Sequence, residues 1–452
     1  SCSVERVDRN QKAFYTRPVM NLKSYVKGVN VVVDTLWGDS GKGKIVDMAS
    51  AYVDMVVRYA GGANAGHTIK NDLGIFKFHL IPSGILNSKV LNVIDSGVVV
   101  NPQTIVEELL SLRKQGIKIN EKNLLVSSRA HVVMPWHLLR DQPKQSKSLA
   151  GKIGTTGRGI GPTYSDKTAR EGIRVKDLFA PNFKQLILEE CKKQNIILTK
   201  LYGIKPLNAK VVIKNLQKFR TLFKPLVTNT FPVIQEYVRK KKNILGEGAQ
   251  GALLDISLGG FPFVTSSHPG VTGFSMGTGI HDHDITNVIG VTKAYATRVG
   301  EGPMPTELLD KHGEKMREVG GEYGTTTGRP RRCGWIDLPA TRYGILVSGT
   351  RSIALMKLDV LDGFKVVKAC VGYRIGNKTV ELPADMDADT IKDAKPVYKS
   401  FKGWMQKTSN VKSFKKLPVN ARKYTQFLEK QLCLPIVIIS VGPSREQTIF
   451  CG

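Results

Sequence analysis

The chain has 452 residues, 41% of them hydrophobic and 23% charged, and no apolar run approaches the roughly 18–20 residues that a membrane-spanning helix needs. Lys and Arg number 67 against 38 Asp and Glu, a net charge of +29. That excess fits either a nucleic-acid binder or an enzyme for anionic small molecules.

Residues 1–27 are polar, mixed in charge and without periodicity, and lack the apolar centre of a secretory signal. They read as a poorly ordered N-terminal extension. The texture changes at Val29-Asn-Val-Val-Val33, a β-branched run expected of a buried parallel strand. A glycine-rich turn and a helical stretch, Lys44–Tyr52, follow it. Further strand-like runs are Val90–Ile94, Asn123–Val126, Asn243–Leu245, Ile353–Leu358 and Pro435–Ile439. Helical stretches such as Thr104–Lys114 and Asn182–Asn195 lie between them. This alternation predicts an α/β fold: one large domain, residues 28–452, around a mostly parallel central sheet with helices on both faces. The basic residues are spread along this chain, and the densest runs, Arg239–Lys242 and Lys412–Lys416, read as solvated helix faces or loops. A small-molecule enzyme is therefore favoured over a nucleic-acid groove. The six cysteines, Cys2, Cys191, Cys333, Cys370, Cys433 and Cys451, form no CxxC pair. They indicate neither a disulfide framework nor a zinc site, and they suit a reducing, cytoplasmic setting.

Gly38-Asp-Ser-Gly-Lys-Gly-Lys44 lies between the first strand and the first helix. Its glycines let backbone N–H groups turn toward an anion, and the helix adds its positive end. Lys42 and Lys44 are long enough to reach terminal phosphates. The spacing matches a P-loop until Ile45, which stands where Ser or Thr would ligate Mg²⁺. Asp39 is the candidate replacement ligand.

A second glycine-rich stretch, Gly61-Gly-Ala-Asn-Ala-Gly-His67-Thr68, offers Asn64 for hydrogen bonding and His67 as a proton or charge donor. Ile153–Pro162 carries Thr155 and Thr156, suited to a monophosphate, with Arg170 downstream. Tyr323-Gly-Thr-Thr-Thr-Gly-Arg-Pro-Arg-Arg332 sets three hydroxyls beside three guanidiniums, which suits an acidic substrate. Lys357-Leu-Asp359 ends an apolar run, and its carboxylate would accept two hydrogen bonds from guanine that adenine does not offer. A GTP-binding switch would need the phosphate loop and the base reader but not the arginine loop.

Taken in order, these segments resemble the adenylosuccinate synthetase family. The resemblance rests on Trp37–Lys44, Gly61–Thr68, His79–Ile85, Ile153–Pro162, Glu247–Gln250, Phe263–Ser267, Thr297–Gly300, Gly324–Arg332 and Lys357–Asp359. It implies GTP-dependent ligation of L-aspartate to IMP through a 6-phosphoryl intermediate, with Mg²⁺ held by Asp39 and the Gly66 carbonyl. Asp39, Lys42 and His67 would be catalytic. GTP would meet Gly38, Ser40, Gly41, Lys42, Gly43, Lys44, Gly66, His67, Thr68, Arg331, Lys357, Leu358, Asp359, Ser440, Val441 and Gly442. IMP would be held by Asp39, Lys42, Asn64, Ala65, Thr156, Gln250, Thr265 and Arg329, and by Arg170 of a neighbouring subunit in a homodimer. Aspartate would meet Val299, Thr325, Thr326, Thr327, Arg329 and Arg331. No nucleic-acid or membrane partner is expected. Departures from the family pattern are Asp34, Leu36, Ser40, Asp95-Ser96-Gly97 and Met356, and Ser40 takes the place of a Glu beside the proposed base.

Overall fold

The computed structural model describes residues 22–142, 147–148, 151–152, 154–324 and 328–451. Ten strands form the central sheet: β1 (Val29–Asp34), β2 (Met55–Arg58), β3 (Leu91–Ile94), β4 (Leu124–Ser127), β5 (Val227–Thr228), β6 (Ile244–Glu247), β7 (Ile285–Lys293), β8 (Ser352–Met356), β9 (Ile436–Ser440) and β10 (Thr448–Phe450). Their spatial order is β5-β4-β3-β2-β6-β1-β7-β8-β9-β10. Every neighbouring pair is parallel except β9 with β10. This is the α/β architecture expected from the alternating pattern.

Helices cover both faces, so β1 is buried along its whole length. That is why it reads as a valine run rather than an alternation. Val32 packs with Ile45, Val46, Val56 and Ile289 on one face, whereas Val31 and Val33 pack with Val57, Phe274 and Val288 on the other. The helix after the loop, Lys42–Ala49, begins two residues before the expected start. Leu22–Tyr25 is a helical turn, and Leu22 and Val26 are buried in the cluster that holds Ile45. The folded unit therefore takes in residues 22–27, which the sequence pattern assigned to the extension. Two apolar side chains in a charged stretch carry too little periodicity to be seen.

The chain runs from β1 to the strands on one side, returns to β6, and then crosses β1 to build β7–β10 on the other. Such a switch point opens a crevice beyond the carboxyl ends of the strands. The carboxyl ends of β2, β6, β1, β7, β8 and β9 all lie at this one edge. A smaller five-stranded sheet (Tyr295–Arg298, Arg332–Asp337, Val366–Ile375, Lys378–Val380 and Lys395–Lys402) grows from the end of β7. It returns the arginine-rich segment to the same edge.

Ile45 is fully buried between its helix and the sheet. Its position is therefore apolar packing, and a metal ligand has no place there. Ile45→Ala is expected to cost about 3 kcal/mol of stability, read as a lower denaturant midpoint. An unchanged midpoint would contradict this packing.

Candidate functional site

The phosphate loop is closed by the residue that precedes it. Asp34, at the end of β1, is 1% exposed. Its Oδ1 accepts the N–H groups of Leu36 (3.0 Å) and Gly38 (3.2 Å), and its Oδ2 accepts that of Ser40 (3.0 Å). Three amides converging on one carboxylate curl the chain tightly. The curl needs left-handed backbone, supplied by Gly38 (φ 89°) and Gly41 (φ 99°), with Asp39 itself at φ 58°. Gly41 caps the following helix with no side-chain hydrogen bond, so the first-turn amides have no side-chain cap and suit an anion. Ser40, one of the departures, is buried within this curl.

The two lysines diverge. Lys42 Nζ donates to the Gln250 carbonyl at 2.6 Å and lies 3.5 Å from Asp34. Lys44 Nζ donates to Ser440 Oγ (2.8 Å) and to the carbonyls of Gly442 (2.8 Å) and Gln447 (3.0 Å). Burial lowers its pKa to about 8, against the opposing pull of Asp359 and Glu446. The loop thus touches the ends of β6 and β9.

His67 packs so tightly on the loop that a Cβ at Gly43 would lie 3.1 Å from its own Cβ. Its Nδ1 is 2.5 Å from Glu247 at the end of β6. Glu247 also accepts the Ser83 amide (2.8 Å) and hydroxyl (2.7 Å). Burial pushes the imidazole below its usual pKa, while Glu247 works against that shift. The Glu247 carboxylate is held below its usual range by His67, Arg58 and Ser83, which outweigh its burial. An ionised Glu247 makes Nδ1–H the donor, which fixes the ring and leaves Nε2 for a ligand.

The third wall is the end of β8. That strand stops at Met356 rather than Leu358, because Lys357 turns left-handed (φ 59°) and a short 3₁₀ helix, Leu358–Leu361, follows. Among the described residues, Asp359 Oδ1 is buried without a hydrogen-bond partner, as are Oε1 and Nε2 of Gln250. Burial raises the Asp359 pKa. Such orphans at a crevice call for ligand groups. The Lys357 side chain turns away from them, to the Gly320 carbonyl and Glu322, both at 2.7 Å.

Arg331 closes the fourth side, with Nε 3.1 Å from Asp39 Oδ2 and Nη1 2.7 Å from Glu322. Ala65 is buried and its carbonyl accepts from His79 Nδ1 at 2.7 Å, while Asn64 Oδ1 accepts the Gly62 amide. Thr68, Thr156, Val299, Arg170 and Arg329 are exposed. Arg170 ends the helix Ile160–Ala169 in a left-handed turn. The Thr265 amide is bonded to the Leu254 carbonyl. Thr325, Thr326 and Thr327 lie outside the described residues, as does Ile153.

Among the described residues, no group of three or more His, Cys, Asp or Glu is placed to hold a metal. The hard oxygens near the loop are the Asp39 carboxylate, one-third exposed, and the nearby main chain. This set fits a magnesium ion that takes most of its ligands from phosphates and water. Local sequence pattern does not mark two residues at this edge as functional. Asp34 stood out only as a departure from a pattern, and Glu322 carries no motif signal because its partners come from remote segments.

Residues 31–449 match the family model for adenylosuccinate synthetase. A relative from Halothermothrix orenii bearing that name is 47% identical over 424 residues, covering 93% of this chain and 98% of its own. One from Caldanaerobacter subterraneus is 45% identical over 423 residues, with the same coverage. Among solved structures, the fully ligated adenylosuccinate synthetase of Plasmodium falciparum superposes with a TM-score of 0.88 at 36% identity, over 94% of this chain and 99% of that one.

Because Lys44 titrates near 8, its ammonium is present well below that pH and is lost as pH rises through it. Affinity for a nucleoside triphosphate, measured by calorimetry, is expected to fall across that interval. An affinity unchanged through it would show that Lys44 carries no part of the phosphate charge.

Proposed function

We propose residue roles for this chain, which belongs to the adenylosuccinate synthetase family. It is a GTP-dependent ligase that joins L-aspartate to IMP, giving adenylosuccinate, GDP and phosphate, the first committed step from IMP to AMP. The chemistry runs in two steps, because O6 of IMP leaves from C6 only after it has been phosphorylated.

In the first step the Asp39 carboxylate takes the N1 proton of IMP, and the charge built on O6 attacks the γ-phosphorus of GTP, releasing GDP. His67, fixed through Nδ1 by Glu247, turns Nε2 to the phosphoryl group in transit. Lys42 and Lys44 balance charge on the phosphates. In the second step the aspartate amine attacks C6 and phosphate departs, with Arg329 and Arg331 holding the aspartate carboxylates. Asp359 reads guanine with the buried oxygen that lacks a partner, beside Lys357, Leu358, Ser440, Val441 and Gly442. Gln250, whose side-chain amide likewise lacks a partner among the described residues, holds IMP with Asn64, Ala65, Thr156 and Thr265. A magnesium ion held by Asp39, the Gly66 carbonyl and the phosphates would neutralise charge on the triphosphate.

The observation that carries this reading is the meeting of Asp39, Lys42 and Lys44 with residues from the ends of β6, β9 and the arginine segment. Arg170, exposed at a helix end, would complete the IMP site of a second copy in a homodimer. The cytoplasmic setting is part of the same reading, in keeping with Cys191, Cys333, Cys370, Cys433 and Cys451 standing as thiols.

Asp39→Asn is expected to lower adenylosuccinate formation about a thousandfold, in a spectrophotometric assay with IMP, GTP and aspartate. Arg170→Leu should also be impaired. Mixing the two variants should restore part of the activity, because a mixed dimer holds one intact site. Near wild-type activity of Asp39→Asn would sink the proposed base, and no recovery on mixing would sink the shared site.

A further inference from the structure

Glu322 is a buried carboxylate that none of the steps above uses. It follows the helix Lys311–Gly320 directly, after the left-handed Gly321. Its side chain is fully buried. Oε1 accepts from Lys293 Nζ at 2.9 Å and Lys357 Nζ at 2.7 Å, and from the Tyr295 hydroxyl. Oε2 accepts from Arg331 Nη1 at 2.7 Å. The main chain repeats the link, since the Arg331 amide donates to the Glu322 carbonyl at 2.9 Å. One carboxylate therefore organises three cations brought from the end of β7, the turn after β8 and the arginine segment.

Two of these cations belong to different substrates in the reading above. Lys357 immediately precedes Leu358 and Asp359, the proposed guanine readers. Arg331 reaches Asp39 with its other face, at 3.1 Å, and is assigned to aspartate. Lys357 also caps the Lys311–Gly320 helix through the Gly320 carbonyl, a favourable place for a cation. Its position is thus set by the helix end and Glu322 together, and that of Arg331 by Glu322 and Asp39.

We propose that Glu322 is a positioning residue that ties the guanine-reading turn to the aspartate-binding arginine, so that GTP and aspartate are held by one shared anchor. Lys293 has a different part. It is 1% exposed and its pKa is lowered by burial to about 8, with Glu322 as its counter-charge. Neutralising Glu322 alone would strand a buried cation, which is strongly destabilising. Removing both charges would not. The proposal rests on the synthetase reading of the site.

The test compares wild type with Glu322→Gln and with the double variant Glu322→Gln/Lys293→Met, which keeps the local charge balance and is the arm expected to fold well. KM is measured for each substrate separately. In the double variant KM for GTP and KM for aspartate should both rise about tenfold, with KM for IMP changed less than about twofold. Glu322→Asp, one methylene short, should recover little of either. A folded double variant with both KM values unchanged, or with only one raised, would overturn the shared anchor. Wild-type protein that forms no adenylosuccinate would instead overturn the synthetase reading itself, so the two failures are distinguishable.

Discussion

The Asp34 carboxylate holds the amides of Leu36, Gly38 and Ser40 from the end of the central strand, and the site is built on that contact. It forces the left-handed turns at Gly38, Asp39 and Gly41. Those turns expose the start of the helix and bring Asp39 within reach of Arg331. They also send Lys42 toward Gln250 and Lys44 toward Ser440. A carboxyl group that accepts three backbone N–H bonds is costly to remove, because each amide would lose its partner in a dry interior. The same carboxylate lies 3.5 Å from Lys42, so it offsets one of the loop's own charges.

Charge is concentrated where the strands end. Lys42, Lys44, Arg58, Lys293 and Arg331 are all buried there, and the buried carboxylates Asp34, Asp95, Glu247 and Glu322 lie at the same edge. A buried ammonium bonded to neutral acceptors, as Lys44 is to Ser440, Gly442 and Gln447, gains from an arriving anion. A triphosphate, a monophosphate and a dicarboxylate supply that anion, so the binding of three anionic substrates and the stability of this edge are physically linked. The surplus of basic residues elsewhere has no such role. Arg239, Lys240, Lys241 and Lys242 are exposed at the end of a helix, and Lys412, Lys415 and Lys416 are exposed as well.

Much of this was legible in the sequence, for reasons that differ by residue. The valine run of β1 declared a strand buried on both faces, and the glycines of the loop declared a turn beside a helix. Local chemistry also marked His67 and Asp359, and the family resemblance marked Gln250; the structure brings all three to one edge. What local pattern could not show was partnership across the chain. Glu322 is an unremarked acid until Lys293, Lys357 and Arg331 fold around it. The Lys357 side chain, read as part of a base-recognition tripeptide, turns to that acid because the strand stops two residues early. The helical turn at Leu22 escaped notice because only its burial against Ile45 makes it part of the fold.

The central claim is that O6 of IMP is phosphorylated and then leaves as phosphate from this edge. IMP carrying oxygen-18 at O6 tests it directly, when incubated with GTP, aspartate and the protein. The account predicts that the label appears in the released inorganic phosphate, in step with adenylosuccinate. Label that stays on the purine or passes to water, with phosphate unlabelled, would contradict it.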